Sequence, residues 1–368
     1  MAKAAKAKKS IITDKSFTFL KQYINNASPV GFESWGQKLW LEYLKPYVDT
    51  HYVDPYGTAV GVINPGNKFK VVIEAHADEI SWFVNYITND GLIYLKRNGG
   101  VDHQTAPASR VFIHGKKGPV KAVFGWPAIH TRLGGDGKET QPKTENLWLD
   151  SGARNKKEVE ALGIHIGAVV TYQDGFDELA NGNYIGRAFD NRIGGFMIAE
   201  VARLLKENKK KLPFGLYVVN AVQEEIGLRG AEMISRRIKP DIAIITDVTH
   251  DTNTPMINKN IEGDVLCGKG PSLSYAPAVH NKLLGLVEKV AASKKIPVQW
   301  RALSRSTGTD TDSFAYSNDG CPSVLISIPL RYMHTTVEML HKDDIEATIR
   351  LMYETLLTLT PKTNLSYL

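Results

Sequence analysis

Two histidines and three carboxylates able to bind metal stand at or just after the ends of apolar runs: His76, Asp190, Glu225, Asp247 and His334. A further glutamate, Glu224, stands beside Glu225. Imidazole and carboxylate donors in this mix can hold a pair of divalent ions with one carboxylate shared, which leaves Glu224 free to act as a general base. Two ions about 3.5–4 Å apart can share one water and lower its pKa toward neutrality. That water would attack a carbonyl as Glu224 takes its proton, and Glu224 would then protonate the leaving amine. Asp78 lies two residues after His76, on the same side of an extended chain, where a carboxylate can take the second ring N–H of a metal-bound histidine.

Each residue has a plainer reading by itself. A strand-end histidine can be a hydrogen-bonded structural residue, Asp190 a helix N-cap, Asp247 a turn residue, and Glu224–Glu225 a solvated acidic pair. Coincidence at four strand ends favours the metal reading, because clustered carboxylates repel one another unless cations separate them. The other histidines, His250 near Asp247 among them, belong to no such constellation.

The elements that must position these residues are legible as patterns. Lys68–Ala75 (KFKVVIEA), Phe214–Ala221, Asp241–Thr246 and Ser323–Ile328 are short, β-branched apolar runs and read as buried strands. Helical periodicity covers Ile193–Lys209, Gly230–Arg237 and Asn281–Lys294 between them, and also Ser16–Tyr47. The alternation predicts an α/β fold: a mixed sheet with a mostly parallel core, flanked by helices. Ligands then bind outside the carboxyl ends of the strands, where His76, Glu224, Glu225, Asp247 and His334 fall. Residues 85–177 differ. They are glycine-rich, with short expected strands at Leu92–Leu95, Arg110–Ile113, Lys121–Phe124 and Ala168–Tyr172, one helix at Lys156–Leu162, and a polar mobile loop from Pro127 to Asn146. They read as a small β-rich, barrel-like domain inserted into a catalytic domain made of 14–84 and 178–368. The insertion supplies none of the site residues yet takes about a quarter of the chain, which suggests a role in homo-oligomerisation.

Composition narrows the class. Apolar residues at 43% and charged residues at 23% are ordinary for a globular protein. Of the +6 net charge, four come from Lys3, Lys6, Lys8 and Lys9, so residues 1–13 read as a frayed basic tail rather than a nucleic-acid arm. That tail has no apolar stretch of a secretory signal, and no run approaches the roughly 20 apolar residues of a membrane span. Cys267 and Cys321 make no disulfide framework. The expectation is a cytoplasmic protein with no nucleic-acid or membrane partner.

Six stretches, in order, are similar to those of one family: EAHADEI around His76, IGRAFDNR around Asp190, VQEEIGLRGA around Glu224, ITDVTH around Asp247, GTDTDSF from Gly308, and ISIPLRYMHTTVE around His334. LWLDSGA from Leu147 and ALGIHIGAVVT from Ala161 resemble the family's inserted domain. The chain thus resembles the tetrahedral-assembly (TET-type) dinuclear metallo-aminopeptidases, the glutamyl-aminopeptidase-like family whose members are sometimes labelled endoglucanases. Departures are small: Ser81 and Trp82 follow DEI in place of glycine and phenylalanine, and Thr335-Thr336 replaces Ser-Pro. The resemblance implies one zinc or cobalt ion on His76, Asp190 and Asp247, a second on Asp190, Glu225 and His334, with Asp190 bridging and Glu224 as base. It also implies release of N-terminal residues from short peptides, dimers formed through the inserted domain, and a dodecameric shell. Recognition of the free α-amino group rests on the resemblance alone. A metal-dependent deacylase or carboxypeptidase on the same site, a metal-free endoglucanase and a non-catalytic assembly protein are the rival expectations.

Overall fold

The computed structural model describes residues 10–132 and 139–368. Most of the basic tail (1–9) and the middle of the expected Pro127–Asn146 loop (133–138) therefore lie outside the described residues. Helices α1 (Asp14–Asn25) and α2 (Ser34–Leu44) precede strands β1 (Thr50–Val53), β2 (Ala59–Ile63) and β3 (Lys70–His76). Next come β4 (Ser81–Ile87), β5 (Ile93–Asn98), β6 (Arg110–Gly115), β7 (Gly118–Gly125), β8 (Trp148–Asp150), α3 (Lys156–Ala161) and β9 (Val169–Tyr172). The chain continues through β10 (Asp177–Glu178), β11 (Asn183–Gly186), α4 (Phe189–Glu207), β12 (Gly215–Ala221), α5 (Arg229–Ile238), β13 (Ile242–His250) and α6 (Lys259–Glu262). It ends with β14 (Ser272–Tyr275), α7 (Asn281–Lys294), β15 (Gln299–Ala302), α8 (Asp310–Ala315), β16 (Ser323–Leu330), β17 (Glu338–His341) and α9 (Lys342–Thr358).

Eight strands form one mixed sheet in the order β1-β2-β12-β3-β13-β16-β14-β15. Its centre, β12-β3-β13-β16, is parallel, as the apolar runs predict. These strands are apolar on both faces because helices cover both. α4 and α9 pack on one face, α5 and α8 on the other. α4 is buried along nearly its whole length and carries Phe196, Met197 and Val201 into the core beside Val72, Ile73 and Val218. Thr13 caps α1 by accepting the Ser16 N–H, and the adjoining Ile11 and Ile12 lean on the core.

Strands β4 to β9 close a six-stranded antiparallel barrel in the order β4-β5-β8-β7-β6-β9, with its own core of Trp82, Val84, Ile113, Phe124, Leu149 and Val170. A closed barrel buries one face of every strand and leaves no free edge, so this short-stranded segment holds a core separate from that of the main sheet. Two cysteines remain free thiols, Cys267 half-buried and Cys321 buried. No helix among the described residues is long and apolar enough to cross a membrane.

Candidate metal centre

Strand register sets the floor of the site. In β3 and β13, Glu74 pairs with Ile245. Two residues on along both strands stand His76 and Asp247, so period-two alternation brings both to the same level and the same face. Ala221, the last residue of β12, pairs with His76, and the chain then turns through Gln223 (φ 58°) to present Glu224 and Glu225. His334 follows β16 in the loop to β17, with a left-handed φ of 62°. Non-glycine residues in that region carry local strain and persist only where surrounding contacts over-determine them.

All six site side chains converge. His76 Nε2 lies 3.2 Å from Asp190 Oδ1, 3.8 Å from Glu224 Oε2 and 3.8 Å from Asp247 Oδ1. His334 Nε2 lies 3.2 Å from Asp190 Oδ2 and 3.3 Å from Glu225 Oε2. Asp190 therefore turns one carboxylate oxygen to each histidine. Donor atoms of His76, Asp190 and Glu225 all fall within 4.8 Å of one another. Tetrahedral ligands held about 2.0–2.2 Å from an ion stand roughly 3.3–3.6 Å apart, so these spacings suit a shared cation. Glu225 Oε1 is buried without a hydrogen-bond partner, a further donor with nothing to satisfy it within the chain. The residues fit divalent ions.

Backbone amides hold the carboxylates in place. Asp78 accepts the Glu224 N–H on Oδ1 and the Glu225 N–H on Oδ2, each at 3.0 Å. His76 Nδ1 lies 3.2 Å from the Asp78 carbonyl and 3.4 Å from its Oδ1, so Asp78 touches both the histidine and the glutamate turn. Asp247 Oδ1 accepts the Val248 N–H at 2.7 Å. Asp190 precedes the regular part of α4. Asn191 ties that turn down by donating Nδ2 to the Thr246 carbonyl at 2.7 Å and accepting the Gly194 N–H on Oδ1 at 3.1 Å. Arg187 and Arg192, which flank Asp190, both face Glu79 of the EAHADEI stretch, at 3.3 and 3.6 Å.

Four residues near the site escape sequence reasoning. Glu338, on β17, accepts the Asp190 N–H on Oε2 at 3.0 Å and the His334 N–H on Oε1 at 2.9 Å, so one buried carboxylate fixes both residues. It lies inside the ISIPLRYMHTTVE stretch, four residues after His334, and that proximity was the available signal. Gly100, in the β5–β6 connection, accepts from His334 Nδ1 at 3.1 Å. The inserted segment was expected to supply none of the site residues, and this contact adds a backbone carbonyl beside one of them: the connection folds back from the barrel over the end of the sheet, where only glycine fits against the imidazole. Glu74 and Asp310, both buried, form a carboxyl pair near His76, and the only sequence signals were the EAHADEI and GTDTDSF stretches that contain them.

Burial raises most of these acids. It pushes Glu224 up to about 11, with Asp247 adding and His76 opposing. It pushes Asp247 up to about 7, against the pull of His76 and with help from Asp190. Burial likewise carries Glu74 to about 8 and Glu225 upward, the latter with Asp190 adding. Burial opposes the charge of His334, but its hydrogen bonds to Asp190 and Glu225 prevail and lift it to about 12. Asp190, against the effect of its own burial, is held below the usual carboxylate range by His334 and His76. Too few positive charges serve too many acids, and added cations relieve that imbalance.

Donors of this kind at the carboxyl ends of parallel strands define a site of the hydrolase class, and comparison with known proteins specifies the bond: the protein is a peptidase. The chain belongs to the M42 glutamyl aminopeptidase family, whose sequence model matches residues 57–351. It is 31% identical to a lysyl aminopeptidase of Pyrococcus furiosus over 93% of this chain and 97% of that protein. A TET aminopeptidase of the marine sediment archaeon Thaumarchaeota archaeon SCGC AB-539-E09 superposes with a TM-score of 0.90 and 30% identity, covering 95% of this chain and 97% of that one. The Pyrococcus horikoshii TET1 peptidase, which can assemble into a tetrahedron or a large octahedral shell, shares the fold with a TM-score of 0.82 at 24% identity, covering 94% and 100% of the two chains.

Two outcomes are expected from this geometry. A Cβ at Gly100 would stand 2.8 Å from His334 Cε1 and Nδ1, closer than real contacts allow. Gly100→Ala should therefore displace His334 and weaken one class of bound ion at least tenfold in a cobalt or zinc titration; unchanged affinity at every site would contradict the contact. The second concerns pH. In the ion-free fold Asp247 holds its proton up to about pH 7, whereas the unfolded chain releases it near 4, so its contribution to stability falls as pH rises across that window. Asp247→Asn should raise the Tm of chelator-treated protein more at pH 8 than at pH 5. An effect no larger at pH 8 would contradict the assignment.

Proposed function

We propose that the chain is a dinuclear metal-dependent aminopeptidase that removes N-terminal residues from short peptides. The observation that carries this reading is Asp190, which offers one oxygen to each of two histidines at 3.2 Å. His76, Asp190 and Asp247 would hold one ion, and Asp190, Glu225 and His334 the other; a nitrogen and oxygen donor set of this kind takes zinc or cobalt. When bound, such ions supply Lewis acidity, positive charge for the developing oxyanion, and ionisation of water near neutral pH.

The chain's own residues supply the rest. Glu224 lines a cavity of about 550 Å³ together with Asp190, Glu225, Asp247 and His334. Its carboxylate is the more exposed of the two glutamates, with 11% of the side chain accessible against 4% for Glu225. This suits Glu224 to move a proton between attacking water and leaving amine, and Glu225 to stay fixed as a donor. Asp78 holds both glutamates by their backbone amides, which keeps the base at a set distance from the donors. Arg301, Ser306, Thr307 and Thr309 line the same cavity and bound the space left for a residue beside the scissile carbonyl.

Self-assembly through the barrel is the second part of the proposal. Tyr86, Val123, Leu162 and Ile166 are exposed apolar side chains within the inserted segment, a surface that association would cover. The tetrahedral assembly of the P. horikoshii relative supports a dimer-based shell, in which the active sites would face peptides small enough to enter.

Glu224→Gln should retain about two ions per chain, the wild-type content after reconstitution, yet lose roughly 10²–10⁴-fold in kcat on an aminoacyl anilide, the usual contribution of a general base. A variant with near-wild-type turnover, or a wild type fully active with one ion, rejects the mechanism. For assembly, light scattering at micromolar concentration should give a mass of at least two chains; a strict monomer rejects the oligomer, and a dimer rejects the shell alone.

A further inference from the structure

A second cavity, of about 660 Å³, lies where the barrel meets the α1–α2 segment and the residues before α4. None of the proposed metal donors lines it, nor does Glu224. One wall is the outer face of β6. Burial alternates there: Val111 and Ile113 pack into the barrel core, and Phe112 and His114 turn out. Thr171, paired with Phe112 from β9, shares that face, and its hydroxyl lies 2.9 Å from His114 Nε2. Trp35 of α2, Asp174 after β9 and Arg187 before α4 line the remainder.

The aromatic part of this lining is open. Trp35 and His114 stand with ring centroids 4.9 Å apart, tilted by 40°, yet Trp35 keeps 40% of its surface exposed. Burial, opposed by Glu79 and aided by Arg187, holds His114 below its ordinary pKa, so at neutral pH it offers an uncharged ring. Small-molecule sites of this size are mostly apolar, with a few polar groups that fix the ligand's orientation.

Arg187 and Asp174 are the charged groups of the lining. Arg187 is buried, with 6% of its surface accessible. Its Nη1 donates to the Ile24 carbonyl at 2.8 Å. Its Nε stands 3.3 Å from Glu79 Oε2 but out of line for a hydrogen bond, and Arg192 shares that glutamate at 3.6 Å. Nη2 makes no hydrogen bond among the described residues. Two guanidiniums thus face one carboxylate, and positive charge is left over. Asp174 is half-buried and has no ion pair or side-chain hydrogen bond among the described residues. One cavity therefore holds an open cationic donor, an open anionic acceptor and exposed aromatic surface.

We infer that this cavity binds a free amino acid with an aromatic or large apolar side chain, held as its zwitterion. Arg187 takes the α-carboxylate, Asp174 the α-ammonium, and Trp35, Phe112 and His114 the side chain. The charged groups match by charge-assisted hydrogen bonds, and the rings by aromatic packing. A simple anion would meet repulsion from Asp174, and a simple amine from Arg187, so the pair favours a molecule carrying both charges. A free amino acid is also what an aminopeptidase releases. That the ligand is a reaction product rests on the aminopeptidase reading; that the cavity binds it does not.

The test titrates L-phenylalanine by calorimetry into the full-length protein, both metal-reconstituted and chelator-treated, since a site separate from the metal centre persists without ions. Chelator-treated wild type should bind one L-phenylalanine per chain. Three analogues each remove one feature: L-phenylalaninamide the carboxylate, N-acetyl-L-phenylalanine the ammonium, and L-alanine the ring. Each should bind about 10–100-fold more weakly, as expected for loss of a hydrogen bond to a charged group or of a buried aromatic side chain. The amide probes the Arg187 contact without altering Arg187, which anchors the segment before Asp190. Trp35→Ala and Asp174→Asn should weaken L-phenylalanine binding by the same range and leave hydrolysis of aminoacyl anilides by the metal-loaded protein unchanged. No binding, binding that chelation abolishes, binding that neither variant weakens, or equal binding of the amide or the N-acetyl analogue overturns the inference; turnover of free-amino anilides then leaves the aminopeptidase reading in place. Binding that depends on Trp35 and Asp174, without turnover of any free-amino anilide, supports the site and removes the aminopeptidase reading instead.

Discussion

The structure depends on keeping several carboxylates close together in a cleft that water barely reaches. Asp190, Glu225, Asp247 and Glu224 crowd two imidazoles, and Glu74, Asp310 and Glu338 stand just outside. In a partly desolvated site such charges repel strongly and each acid resists ionisation. The fold opposes that repulsion with fixed backbone dipoles. Asp78 takes the amides of Glu224 and Glu225, Glu338 those of Asp190 and His334, and Asp247 that of Val248. These bonds fix where the carboxylates are without neutralising them, so the demand for positive charge remains directed at the centre of the cluster.

That demand explains the stiffness of the surroundings. The residues that deliver the donors leave regular strands and helices at sharp turns, and Ala188, Gln223, Leu228 and His334 all take left-handed backbone conformations there. Such turns hold only when both sides are anchored. The parallel strands anchor one side, because each is hydrogen-bonded to two neighbours and covered by helices above and below. The Glu79–Arg187–Arg192 cluster and the Asn191 contacts anchor the other, fastening the start of α4 to the ends of β3 and β13.

The two cores divide the work unequally. The main sheet, with the turns and the helix start at its edge, supplies the five proposed metal donors and the proposed base, while the barrel builds an independent apolar centre around Trp82 and Phe124. The barrel nonetheless sends one loop back, and Gly100 meets His334 there. The segment proposed for association thus touches His334, one of the proposed metal donors. The cavity itself is of mixed character: acids and imidazoles at the strand ends, a guanidinium on the edge strand, and the apolar side chains of Leu228, Val248 and Met333.

Much of this was legible in the chain by itself. His76 and Asp247 announce themselves because a buried parallel strand is a continuous apolar run, and the first polar residues near its end face the cleft. Glu224 and His334 follow by the same logic, and the helices Asn281–Lys294 and Arg229–Ile238 by their period. Glu338, Gly100 and Arg301 were not legible as site residues. A glutamate on a short strand, a glycine between strands and an arginine on an edge strand carry no local pattern that sets them apart. Their roles arise because β17, the β5–β6 connection and β15 are brought to one end of the sheet, an outcome of strand order and register between segments far apart in sequence. Periodicity and composition are local properties and determine which residues a strand can offer. Only tertiary packing decides which backbone amide, which imidazole and which cavity wall each of them meets.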